Sequence, residues 1–86
     1  MSNATEVTAW TAEAVRAAIE RAGMTKKSVS DMTGIPYPTL NRKTAGHSEF
    51  SFTDLLAIAD VLKVSPAEFV PPPFQEHSPR GLAVSA

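Results

Sequence analysis

With 86 residues and no cysteine, the chain has room for one small domain with a single modest core, and a disulfide framework or thiolate metal site is excluded. Its hydrophobic share of 43% is ordinary for a globular protein, and no apolar run approaches the ~18 residues that span a bilayer. The formal net charge of −1 hides an uneven distribution: Met24 to Ser48 holds four Lys or Arg against one acid, while the remaining segments hold four against eight.

In chain order, Met1 to Ala9 is polar and uncapped, so residues 1–10 are expected to form an N-terminal arm, with Val7 and Trp10 the only hint of an extended piece. Thr11 is read as the cap of a first helix over about 11–22, anchored by Trp10, with Val15, Ala18, Ile19 and Ala22 on one face and Gly23 at its end. A spacing then recurs in which an apolar residue precedes a cap position and a second lies four beyond that position. It pairs Trp10 with Val15, Met24 with Val29, Ile35 with Leu40, Phe50 with Leu55 and Val64 with Phe69. This is the hydrophobic-staple pattern, which fixes the angle at which a chain enters a helix. It predicts an all-α domain of five short helices over residues 11–70, at about 11–22, 25–33, 36–44, 51–62 and 65–69.

Gly34 stands where the second and third segments need a sharp left-handed turn. Pro36 and Pro38 are tolerated in a first helical turn, whose amides have no intrahelical partner; the alternative is that Pro36-Tyr37-Pro38 is loop and the helix covers only Thr39 to Thr44. Ser51 with Asp54 resembles a capping box, Leu55, Ile58, Ala59 and Leu62 supply a buried face, and Pro66 and Glu68 open the last segment before Pro71-Pro72-Pro73 stops it. Residues 71–86 form a Pro-rich tail with the composition of an unfolded segment; if it docks, Phe74, Leu82 and Val84 are its anchors.

Thr25 to Gly46 has the spacing of a helix-turn-helix, with Val29, Ile35 and Leu40 between the helices and the cations outside. On these residues, together with the turn Thr33-Gly34-Ile35 and the run LLAIADVLKVSPAEF from Leu55 to Phe69, the chain resembles the DNA-binding domain of the lambda-repressor/Cro family, a compact five-helix unit. The resemblance implies a double-stranded DNA operator as partner and a Cro-like regulatory role on a two-fold site. Three positions depart from the family pattern. Lys26 stands where a glutamine commonly touches phosphate, Ser30 replaces the usual alanine, and Lys43 occupies a position that is often apolar. Either the Lys43 stem is buried with its ammonium outside, or Thr44 shares the packing.

Recognition helices read base edges from their N-terminal end and outward face. That rule and the family positions make Tyr37, Pro38, Asn41 and Arg42 the base-reading candidates, Arg42 with a donor fork suited to guanine and Asn41 with a donor-acceptor pair suited to adenine. The competing reading is a merely solvated helix face. Thr25, Lys26, Lys27, Thr39, Lys43, Thr44, His47 and Ser48 are assigned to phosphates, although Lys27, His47 and Ser48 are equally well read as ordinary surface. A homodimer is expected, with Phe69, Val70 and Phe74, and the tail residues Leu82 and Val84, as its contact; Phe69 can equally close the core.

Other classes have little support. His47 and His77 are isolated, no Gly-rich phosphate loop occurs, and the carboxylates are scattered, so neither an enzyme nor a metal site nor a cofactor is expected. No small-molecule ligand is evident, no secretory signal opens the chain, and the absence of cysteine fits a cytoplasmic protein. The main rival is an interaction module, such as an antitoxin or anti-repressor, that keeps the same fold but holds a protein partner.

Overall fold

A threonine and two serines start three of the segments, because each hydroxyl accepts a first-turn amide that has no helical partner. In the computed structural model, which describes residues 4–75, Thr25 accepts from the Ser28 amide at 3.1 Å, Ser51 from Asp54 at 3.0 Å and Ser65 from Ala67 at 3.2 Å. The elements are α1 (Ala4–Arg21), α2 (Lys26–Thr33), α3 (Tyr37–Thr44), α4 (Phe52–Leu62) and a 3-10 turn, Pro66–Phe69. Among the described residues there is no strand, and no helix is long and apolar enough to cross a membrane.

Four of the staple pairs meet as expected. Val29, Ile35, Leu40 and Phe69 are buried in one cluster, and Met24, Phe50, Leu55 and Val64 pack against its edge. Val15 and Ile19 of α1 and Ile58 and Leu62 of α4 complete the core. A fully buried side chain of this kind contributes about 1.5–3 kcal/mol, so the loss of any one is large against the roughly 5–10 kcal/mol such a domain has in total.

The first staple is not one. Helix α1 begins at Ala4, so no arm spans residues 4–10, and Trp10 is exposed rather than an anchor. Thr11 lies inside the helix on its buried face, where its hydroxyl donates to the Phe69 carbonyl at 3.2 Å and ties α1 to the last turn. In the extra turns Val7 and Thr8 line one concavity with Thr11, Phe50 and Leu55, a proximity between distant parts of the chain that local propensity does not register.

At the other end, the chain beyond the 3-10 turn continues into a helical turn over residues 72–75, and Pro71 is buried. The Gln75 amide donates to the carbonyls of Ala67 at 2.7 Å and Val70 at 2.5 Å, which docks the start of the expected tail. Phe74 points outward. Leu82 and Val84 lie outside the described residues.

Candidate nucleic-acid interface

The α2–α3 corner is built by three side-chain hydroxyl bonds around one glycine. Gly34 adopts φ 83°, and its amide closes α2 on the Ser30 carbonyl at 2.9 Å. The Thr33 hydroxyl donates to the Val29 carbonyl at 2.7 Å and accepts the Ile35 amide at 3.2 Å. Ser30, which departs from the family alanine, donates to the Ile35 carbonyl at 2.6 Å, so the departure adds a bond to the corner. Nothing lies within 4 Å of where a Gly34 side chain would stand, so backbone conformation, not space, demands glycine there.

Helix α3 follows at once. Pro36 occupies its cap, the Leu40 amide donates to the Pro36 carbonyl at 2.9 Å, and Tyr37 and Pro38 form the first turn, so the loop alternative is set aside. Gly46 at φ 85° ends the helix, with the His47 amide returning to the Arg42 carbonyl at 3.0 Å and the Gly46 amide to Lys43 at 3.1 Å. A short helix stiffened by proline at its start and closed by the Gly46 turn at its end presents its outward side chains in a fixed register. Tyr37 is 40% exposed, Pro38 and Arg42 are exposed, and Asn41 is half-buried beside them.

Two expected phosphate ligands are removed by their surroundings. Thr44 is 1% exposed, and its hydroxyl donates to the Leu40 carbonyl at 2.9 Å, as buried helical threonines commonly do. Lys43 turns its ammonium to Asp54 at 2.5 Å, with both side chains 18% exposed. Of the two alternatives, Thr44 does share the packing, while the Lys43 stem is largely covered but its charge meets a carboxylate instead of solvent. Asp54 also accepts the Ser51 amide at 3.2 Å, so the same carboxylate caps α4 and joins it to the C-terminal turn of α3. Partial burial raises the Asp54 carboxyl, but the bonds from Lys43 and Ser51 and the Lys43 charge outweigh it and hold the group below its ordinary value.

The remaining cations are better placed. Lys26 is half-buried at the start of α2, and among the described residues neither it nor Arg42 has a carboxylate partner. Arg42 reaches the Ser48 hydroxyl at 3.4 Å, while Lys27 faces Asp31 on its own helix at 3.4 Å in an exposed pair of little strength. Thr25 is exposed with its oxygen engaged in the α2 cap, Thr39 and Ser48 are half-buried, and His47 is exposed. Lys26, Asn41, Arg42 and His47 line one open concavity, and Arg16 of α1 joins them there. Nothing in the sequence marks Arg16, which lies ten residues before Lys26 and three after an acid; the packing of α1 on α3 brings it near.

Of the expected dimer contacts, Phe69 is 1% exposed and closes the core, so it is withdrawn from that surface. Val70 is half-buried and Phe74 exposed.

Compared with known proteins, residues 15–69 match a family model described as helix-turn-helix. No curated protein and no solved structure gives a significant match. The matched residues run from the core valine of α1 to the phenylalanine that closes the domain, and they include the whole α2–α3 corner and the exposed face of α3. The chain thus belongs to the Cro/C1-type helix-turn-helix family, whose members are DNA-binding regulators.

Proposed function

We propose that this protein regulates transcription by binding a two-fold DNA operator as a homodimer, each copy placing α3 in the major groove. The observation that carries the reading is the face of α3: Tyr37, Pro38, Asn41 and Arg42 stand together on a helix stiffened by proline at its start, next to Lys26, which has no carboxylate partner among the described residues. Arg42 reads guanine, Asn41 reads adenine, and Tyr37 offers a hydroxyl or a ring edge to a thymine methyl. Lys26 grips phosphate as a charge, with Lys27, Thr25, Thr39, His47 and Ser48 around it. One module spans few base pairs, so two copies on half-sites about 34 Å apart supply the specificity. Val70 and Phe74 supply the contact between them, and occupancy of the operator blocks transcription in the Cro manner.

Selection of bound duplexes from a random pool tests this directly. A palindromic consensus with half-sites one helical turn apart is the expected result. A pool that never converges contradicts it.

The rival reading, a module that holds a protein partner, is favoured by one observation: Phe52 is 74% exposed, and Leu56 stands exposed one turn further along α4. Salt separates the two readings. Operator binding weakens steeply as salt rises, and Lys26→Ala weakens every sequence and reduces the slope by about one.

A further inference from the structure

Arg16 is the one cation in the α3 concavity that comes from α1, and it also lines a second concavity on the other side of Lys26. The two differ in charge. The first holds Arg16, Lys26, Arg42 and His47 with no carboxylate in its lining, whereas the second holds Glu13 and Glu20 with Arg16 and Lys26. Arg16 and Lys26 therefore line both a cationic hollow and one in which two carboxylates balance their charge. In the free protein the Arg16 guanidinium is turned to Glu13, one helical turn back, in an exposed pair.

We propose that Arg16 is a DNA-backbone ligand held in reserve by Glu13: when a duplex lies against α3, its guanidinium leaves Glu13 and, with Lys26, clamps a phosphodiester oxygen pair at the concavity. This rests on the DNA-binding reading above and extends the contact surface beyond α2 and α3 to the first helix. Three features support it. An exposed intrahelical ion pair has little strength of its own, so exchanging one carboxylate for a phosphate costs little. A guanidinium presents the planar donor fork that matches two phosphate oxygens, which an ammonium does not. The hollow that Arg16 shares with Lys26 and Arg42 has no acid to repel the backbone.

Glu13 sets the threshold. It neutralises Arg16 in the free protein and so lowers affinity for duplex of any sequence, which keeps non-specific binding weak in a chain whose overall charge is already negative.

The test is fluorescence-anisotropy titration of the full chain against the selected operator and a random duplex over about 50–200 mM salt. Arg16→Ala is expected to lower affinity on both duplexes equally and to reduce the salt slope by about one. Arg16→Lys is expected to recover the slope but only part of the affinity, and Glu13→Gln to tighten binding to both duplexes. Both positions are exposed, and a thermal melt of each variant verifies the fold. If Lys26→Ala reduces the slope while Arg16→Ala and Glu13→Gln leave it and the affinity unchanged, Arg16 is not a ligand, yet the DNA reading stands. If the parent chain shows no salt-dependent duplex binding, both fail together.

Discussion

Lys43→Met keeps an unbranched stem and deletes the ammonium that Asp54 meets at 2.5 Å. With both side chains 18% exposed, the pair stands between exposed pairs, worth about 0–1 kcal/mol, and buried ones, whose disruption costs about 3–5 kcal/mol. The carboxylate retains the Ser51 amide at 3.2 Å, so it is not left without a partner. A cost of about 1–2 kcal/mol at neutral pH follows, which in a domain of this size lowers Tm by about 4–16 °C.

Acid reverses the effect. Because the folded Asp54 carboxyl lies below its ordinary 3.8, its contribution is full well above that value and is lost as pH falls through the lower folded value. The penalty of Lys43→Met is therefore largest near neutrality and shrinks in acid. Urea unfolding followed by circular dichroism, with Asp54→Asn and the double variant completing a cycle, isolates the coupling. A coupling below about 0.3 kcal/mol at neutral pH, where a covered pair is expected to give about 1–2 kcal/mol, refutes the reasoning. So does a penalty that stays constant on acidification.

Lys43→Met should also leave the salt slope of DNA binding untouched while Lys26→Ala lowers it, since of the two only Lys26 lacks a carboxylate partner among the described residues; titration across salt compares them. Gly34→Ala should destabilise by about 1–2 kcal/mol through its left-handed backbone alone, a value read by chemical unfolding, with no added loss from collision. Lys63 holds φ 63° at the end of α4 and is the one non-glycine among the described residues in the left-handed region. Lys63→Gly is expected to stabilise by about 1 kcal/mol, seen as a higher Tm.

How far the sequence could be read depends on which residues act locally. Thr25, Ser51 and Ser65 announce helix starts because a cap is a bond within three residues, and Met24, Phe50 and Val64 confirm them because the staple is equally local. Thr11 carries the same signature and means something else: its hydroxyl is satisfied by Phe69 in a distant part of the chain, which no local pattern encodes. The same limit applies to the site. Tyr37, Asn41 and Arg42 follow from the period of α3, whereas the fate of Lys43 depends on Asp54, eleven residues on, and the place of Arg16 depends on how α1 lies against α3. Sequence marks the face of a helix, and packing decides which of its charges are spoken for.

The central claim is that the outward side of α3 distinguishes one base sequence from another. Arg42→Ala, titrated against the selected operator and against a random duplex at one salt concentration, tests it most directly. The expected result is a loss of about 1–3 kcal/mol on the operator and little change on random DNA. Equal losses on both duplexes would make Arg42 a backbone contact and contradict the account.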